Sequence, residues 1–357
     1  GAVYKGRHHR QDKPVAVKVL SNELAEQSAY QTAFRSEVQA MAKLNHDHVI
    51  RLSSIDLGTT QVIESTEQLL AYTNPGDWAA LPKAALVLAG LGPNDPKQSL
   101  TQWLKTLGGG LDLTIFSALP KGSGLGTSSV LGAAVLACLD RVVGRSVAQE
   151  QLIARVSLLE QLMTTGGGWQ DQVGGVTPGV KLITTQPGTD QTPTLRYTPF
   201  HTDSPELTDR LLLYYTGQKR LAKNILQNVV GRYLARDPQA VAAIDQLKDA
   251  ALQMKADLDR ADVDAFASGV QLYWQLKKQL DPGSTNPGVE KIIRRVDRYC
   301  SATCLPGAGG GGFVFMIAKD ADAAAKIHRN LTNNPPNPLS RFFDFAIDPT
   351  GLKVTTL

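Results

Sequence analysis

The sequence predicts an α+β fold in two main parts, and three observations carry that prediction. Short apolar runs that read as strands alternate with amphipathic helical stretches along most of the chain. A block of helices fills roughly residues 219–299, and no internal repeat occurs at a fixed period. With 357 residues, 42% hydrophobic and 20% charged, the chain can bury a core without disulfides and is too apolar for wholesale disorder.

The elements follow in order. Residues 15–20 read as a buried strand, and 33–44 as an amphipathic helix with Phe34, Val38, Met41 and Leu44 at helical spacing. Residues 49–57 read as one strand. Pro75-Gly76-Asp77 marks a turn before an apolar helix at 78–88, and Gly108-Gly109-Gly110 leads into a strand at 111–118. A glycine loop at 120–127 runs into an apolar helix at 128–143, and a second helix spans about 147–163. After Gly166-Gly167-Gly168, strands are expected near 176–184 and 194–198. The polar segment 199–209, which carries Pro205, is the expected main boundary, giving domains at 1–52, 53–204 and 205–357. Beyond it come a strand at 211–215 and three or four helices. A second glycine loop at 307–312 enters a strand at 313–317. A helix at 320–331, a Pro/Asn loop and two short strands close the chain.

Composition excludes several function classes. Lys and Arg are scattered and the formal net charge is only +4, so no nucleic-acid partner is expected. No run of about 18 apolar residues exists, so no membrane span is expected. The first residues lack the pattern of a signal peptide, and Cys138, Cys300 and Cys304 form neither a disulfide framework nor a zinc spacing. A reducing cytoplasm is the expected location.

Three segments carry chemistry. In Pro120-Lys121-Gly122-Ser123-Gly124-Leu125-Gly126-Thr127-Ser128-Ser129, glycines between a strand and a helix let backbone N–H groups approach a ligand closely. The helix adds free N–H groups and the positive end of its dipole, which suits an anion such as a triphosphate. The spacing fits neither a Walker loop nor a dinucleotide fingerprint, and a strand–helix turn made for packing is the bland alternative. Glu160 and Asp171, eleven positions apart across a glycine turn, supply two carboxylates. Near a triphosphate one would hold Mg²⁺ and the other would deprotonate a substrate hydroxyl. Otherwise they are a solvated helix residue and a turn former. In Pro306-Gly307-Ala308-Gly309-Gly310-Gly311-Gly312-Phe313, four consecutive glycines imply that something packs against bare backbone: phosphates, or the first glycine loop.

These three segments, in this order, resemble the superfamily of galacto-, homoserine, mevalonate and phosphomevalonate kinases. Its second motif, Pro-x-x-x-Gly-Leu-Gly-Ser/Thr-Ser-Ser/Ala, matches Pro120 to Ser129, and its third matches 307–312. The L-fucokinase branch is closest in Glu64-Ser65-Thr66-Glu67-Gln68, Asp77-Trp78-Ala79-Ala80-Leu81, Gly167-Gly168-Trp169-Gln170-Asp171-Gln172, Tyr215-Thr216-Gly217, Arg220-Leu221-Ala222-Lys223-Asn224 and Trp274 to Lys278. The resemblance covers about 53–357. It implies a ribosomal-protein-S5-like N-terminal part and a ferredoxin-like, helical C-terminal part. It also implies transfer of the ATP γ-phosphate to the anomeric hydroxyl of a sugar, with L-fucose the expected acceptor and a heptose phosphate the alternative. By it, Pro120, Lys121, Gly122, Ser123, Gly124, Leu125, Gly126, Thr127, Ser128, Ser129, Gly309, Gly310 and Gly311 would line the ATP site. Ser128 and Glu160 would coordinate Mg²⁺, and Asp171 would act on the sugar hydroxyl. The expected partner is a small-molecule sugar; protein partners are not legible.

The superfamily's first motif, a strand and loop with a basic residue and sugar contacts, has no match here. Residues 1–52 instead resemble the start of a protein-kinase small lobe, an appended small sheet with one helix. Val15-Ala16-Val17-Lys18 resembles its lysine strand, and Glu37 falls where the partner of that lysine belongs. His328-Arg329-Asn330 and Asp344-Phe345-Ala346 mimic later protein-kinase motifs but follow the second glycine run, and they read as coincidence. A catalytically impaired ATP-binding module is therefore the second function class, and a protein kinase the third.

Overall fold

The computed structural model describes residues 2–7, 14–19, 49–74, 76–120, 122–164, 168–186, 188, 195–200, 205–218 and 223–355. The expected helix at 33–44, Glu37, Lys121, Gly166, Gly167 and Arg220 to Ala222 lie outside the described residues, as does the side chain of Lys18. The chain folds as two compact units. One comprises Gly1–Ala118, Ser128–Thr177 and Thr350–Leu357, the other Leu119–Thr127 and Pro178–Pro349.

In the first unit, strands β1 (Ala2–Arg7) and β2 (Pro14–Val19) make an antiparallel hairpin with Ala2 opposite Val19. A three-stranded sheet holds β3 (Ile50–Ser54) at its centre, antiparallel to β4 (Thr59–Ile63) and parallel to β5 (Leu111–Ile115). Ile50, Leu52 and Ile63 are fully buried, and the buried Arg51 pairs with Asp112 on β5 at 3.1 Å. The strand expected over 49–57 stops at Ser54, because the chain turns at Gly58, whose φ is +59°. Six helices follow among the described residues: Thr66–Leu70, Ala80–Leu88, Leu100–Thr106, Thr127–Val142, Gln149–Leu162 and Gln170–Val176. Two of them, Thr66–Leu70 and Leu100–Thr106, start on a serine side-chain cap. The Ser65 hydroxyl accepts from Gln68 N–H while the Gln68 side chain accepts from Glu64 N–H at 2.8 Å, a reciprocal box. Asp77 accepts from Ala79 N–H and pairs at 2.6 Å with Lys83, which is itself buried, so the helix expected from 78 begins at Ala80.

The second unit is built on an antiparallel sheet in the order β11-β8-β10-β9, with β8 Leu211–Tyr215, β9 Cys300–Cys304, β10 Phe313–Ala318 and β11 Arg341–Phe343. Tyr214 packs on Phe342 with ring centroids 4.7 Å apart, and Phe313 on Phe343 at 4.9 Å. A separate hairpin joins β6 (Val180–Thr185) to β7 (Leu195–Phe200). Four helices occupy the expected block: Lys223–Leu234, Pro238–Asp259, Val263–Leu280 and Pro287–Val296. Trp274, Val289, Ile292 and Val296 seal the core against β9 and β10. Buried Arg210 ties the helix Pro205–Arg210 to the sheet, donating to the Ala318 carbonyl at 2.8 Å and pairing with Asp264 at 2.5 Å.

Other expectations need correction. Residues expected to start a strand near 176 instead end the helix Gln170–Val176, and the strand begins at Val180. Of the two closing strands, one, Arg341–Phe343, forms among the described residues. His328 and Asn330 sit on the helix Ala321–Asn333, where His328 stacks on Phe342 and Asn330 accepts from Arg295, so that motif is structural here. Among the described residues no helix is long and apolar enough to cross a membrane.

Asp140, on the helix Thr127–Val142, is 2% exposed and ion-paired to Arg155, with Arg145 3.7 Å away. Removing Arg155 would leave Asp140 with the longer contact to the more exposed Arg145 alone. Replacing Arg155 with Met is expected to lower unfolding free energy by about 1–3 kcal/mol, measured by urea denaturation.

Candidate functional site

In the second unit the two glycine loops lie backbone on backbone. Phe313 N–H donates to the Ser123 carbonyl at 3.2 Å. A Cβ on Gly307 would lie 2.6 Å from the Gly124 carbonyl oxygen, one on Gly124 would lie 3.1 Å from that of Pro306, and one on Gly312 would overlap the Ser123 carbonyl. Gly307, Gly312 and Gly124 all have positive φ, at +61°, +81° and +81°. A side chain at these positions would be both strained and displaced. The bare backbone expected of 307–312 is therefore used at least partly for packing against the first loop.

Further groups fasten the second loop. Gly310 N–H donates to the Ser284 carbonyl at 2.5 Å, and Gly312 N–H to that of Gln218 at 2.9 Å. The Asn286 amide donates to the Gly310 carbonyl at 2.8 Å, and the Lys277 ammonium to the Leu305 carbonyl at 2.6 Å. In the first loop Ser123 and Thr127 share a hydroxyl–hydroxyl bond of 2.9 Å, and the helix Thr127–Val142 begins at once. Its first-turn N–H groups are the donors an anion would meet.

The first unit holds the carboxylates. Ser128 is exposed, whereas Ser129 is buried and donates to Glu160 Oε1. Gln172 Nε2 donates to Glu160 Oε2 at 2.7 Å. Missing side chains make this meeting possible. A Cβ on Gly132 would lie 2.9 Å from Leu159, so the helix Gln149–Leu162 can approach closely enough to bring Glu160 to Ser129. A Cβ on Gly175 would lie 2.6 Å from Val130, which admits the helix Gln170–Val176 beside the same turn. Burial raises the Glu160 carboxyl above its usual 4.5 and the Ser129 bond opposes this; the Asp171 charge raises it further, and the Gln172 bond opposes. Burial likewise raises Asp171 above 3.8, against a bond from Gln170. The structure thus brings Ser129, Glu160 and Asp171 together in one unit, and Gly122 to Thr127 with 307–312 in the other. Lys277, Ser284, Asn286 and Gln172 were not expected from the sequence.

Known proteins resemble this chain strongly. Residues 96–179 match the GHMP kinases N terminal domain, 254–337 match the GHMP kinases C terminal domain, and 1–69 match the protein tyrosine and serine/threonine kinase family. An L-fucokinase/L-fucose-1-P guanylyltransferase from Bacteroides fragilis is 40% identical over 322 residues, covering 89% of this chain and 34% of the relative. A bifunctional fucokinase/GDP-fucose pyrophosphorylase from Arabidopsis thaliana is 40% identical over 62% of this chain and 21% of its own length. The chain therefore spans a third or less of these relatives. A D-glycero-alpha-D-manno-heptose 7-phosphate kinase from Campylobacter jejuni is more distant, at 28% identity over 57% of this chain and 60% of its own length. Among solved structures, Lactococcus lactis galactokinase complexed with galactose superposes with a TM-score of 0.62 at 15% identity, over 86% of this chain and 84% of that one. That likeness shows the fold.

Two outcomes follow from the geometry. Gly312→Ala adds a clash to the strain of positive φ, whereas Gly58→Ala, with open space around it, adds strain alone. Gly58→Ala is expected to cost about 1–2 kcal/mol and Gly312→Ala clearly more, read from thermal melts. Asp171→Asn removes the neighbouring charge, so the Glu160 pKa is expected to fall, observed as an earlier titration of its side-chain carboxyl carbon by NMR.

Proposed function

We propose that this chain, which matches the GHMP kinase N- and C-terminal domains and resembles L-fucokinases, transfers the γ-phosphate of ATP to the anomeric hydroxyl of L-fucose. The observation that carries this reading is the 40% identity to an L-fucokinase across 89% of the chain. The positive-φ glycines Gly122, Gly124 and Gly126 support it, because such backbone suits a triphosphate.

Each residue has a role in this reading. Backbone N–H groups of 122–127 and of the first turn of Thr127–Val142 bind phosphate oxygens, with Pro120, Lys121, Ser128 and Ser129 flanking them. The donor set fits Mg²⁺. Ser128 and Glu160 offer hard oxygens, and no cluster of three His, Cys, Asp or Glu side chains gathers among the described residues. Mg²⁺ commonly takes one or two protein carboxylates and completes its shell with water and phosphate. When bound, it would neutralise charge on the phosphates. Ser129 and Gln172 orient the Glu160 carboxylate. Asp171 accepts a hydrogen bond from the anomeric hydroxyl and takes its proton as that oxygen bonds to phosphorus and ADP leaves. Its raised pKa makes it a better base than an ordinary aspartate.

The test is ADP release with L-fucose, with heptose 7-phosphate and with no sugar. Release that depends on L-fucose supports the proposal; dependence on the heptose reassigns the acceptor. ATP binding without turnover leaves a binding module. Asp171→Asn is expected to reduce turnover by about 10²- to 10⁴-fold while ATP affinity stays nearly unchanged. Since Asp171 must be ionised, kcat/KM should rise with pH through a value above the ordinary 3.8, and Asp171→Asn should lose its share of this limb while the share due to Glu160 remains.

A further inference from the structure

One buried charge is not used in the mechanism above. Lys277, near the end of the helix Val263–Leu280, is 7% exposed. Its ammonium has three N–H donors. They meet the Leu305 carbonyl at 2.6 Å, the Gly307 carbonyl, and the Tyr273 hydroxyl at 3.1 Å. The Tyr273 and Trp274 rings lie 5.2 and 5.7 Å from it, within cation–π range. Among the described residues no carboxylate pairs with it. Burying an ammonium without a counter-ion is costly, and an apolar residue of the same length would spare that cost. A reason other than stability is needed for its retention.

The two carbonyls it holds supply that reason. They flank Pro306, whose own carbonyl lies where a side chain on Gly124 would have to go, while Gly307 abuts the Gly124 carbonyl. Farther along, the second loop is tied through Gly310, Gly312 and Phe313 N–H groups. At 305–307 a side-chain charge does the tying. We infer that Lys277 is a positioning residue: it holds 305–307 against Gly124 and so sets the spacing of the two glycine loops on which ATP affinity depends. This rests on the reading that these loops take the phosphates of ATP.

The ionisable groups facing Lys277 are Tyr273 on its own helix and Cys304 on β9, while Lys278 also lies over the Trp274 ring, 5.2 Å from its centroid. Burial pushes Tyr273 above its ordinary range and the Cys304 thiol up to about 12. Burial pulls Lys277 down to about 8, so Lys277 loses its proton at lower pH than either.

The experiment measures ATP dissociation constants by calorimetry between pH 7 and pH 9.5, for the wild-type chain and Lys277→Met. Amide hydrogen exchange over 305–312 is followed without nucleotide. Wild-type affinity is expected to fall about tenfold across that range, centred near pH 8. Lys277→Met should bind weakly and evenly at every pH, with faster exchange at the hydrogen-bonded Gly310 and Gly312 N–H groups, unchanged sugar KM and little loss of kcat at saturating ATP. If Lys277→Met fails to fold, Lys277→Gln, which keeps an N–H donor without the charge, takes its place. A folded variant that binds ATP as tightly as wild type overturns the inference. So does unchanged amide exchange over 308–312 in that variant. A wild-type chain that binds no ATP at any pH overturns the phosphate-loop reading itself, a result distinct from either.

Discussion

The contact between Ser123–Gly124 and Pro306–Phe313 admits no side chain on its glycines, and much of the second unit is arranged around it. Glycine loses more conformational freedom on folding than any other residue, so a run of four is expensive to order. The cost is offset by fixing the run at several points: Ser284 and Gln218 carbonyls accept its N–H groups, and Asn286 and Lys277 donate to carbonyls in and beside it. These groups sit on or beside the end of Val263–Leu280 and the start of Pro287–Val296, two helices whose apolar faces are buried against β9 and β10. The helical block is thus the anchor for a loop that could not hold its own shape.

The first unit carries a different tension. Glu160 and Asp171 are like charges, both raised by burial. The fold therefore binds their protons more tightly than the unfolded chain does. The stability they contribute is full below the unfolded carboxyl range and is lost as pH rises through their raised values. Ser129 and Gln172 restrain this by donating to Glu160. Carboxylates kept at a stability cost are often found at functional sites.

Much of this was legible in the sequence. The two glycine loops stood out because glycine there is dense and flanked by apolar runs, and the helix after 120–127 was legible as an apolar stretch. The misses have physical causes. β4 is Thr-Thr-Gln-Val-Ile, whose polar Thr59 and Gln61 share a face with buried Ile63 while Val62 is exposed, and β9 is Cys-Ser-Ala-Thr-Cys, largely buried although it lacks large apolar side chains. Helices Thr66–Leu70 and Leu100–Thr106 are too short for a periodic signal, although Ser65 and Ser99 mark their caps. Gln170–Val176 is masked by Gly174 and Gly175, of which Gly175 is needed for close approach to Val130. Lys277 gave no signal, because a lysine in a last helical turn is the ordinary answer to the helix dipole. Only its burial against Leu305 and Gly307 sets it apart.

Residues 50–69 fall in the stretch matched to protein kinases, yet their structure answers to another partner. β3 pairs in register with β5, Ile50 opposite Leu111 through Ser54 opposite Ile115, and β5 lies in the stretch matched to the GHMP kinase N-terminal domain. The Arg51–Asp112 pair and the buried Ile50 and Leu52 depend on that register. Shifting it by one residue would turn Ile50 and Leu52 to the opposite face of the sheet. The match to the Bacteroides fragilis relative, at 322 residues, is also longer than the stretch 53–357, so it reaches back across β3. From Ile50 onward the pairing of β3 with β5, not the protein-kinase likeness, accounts for the structure, although that likeness continues to residue 69.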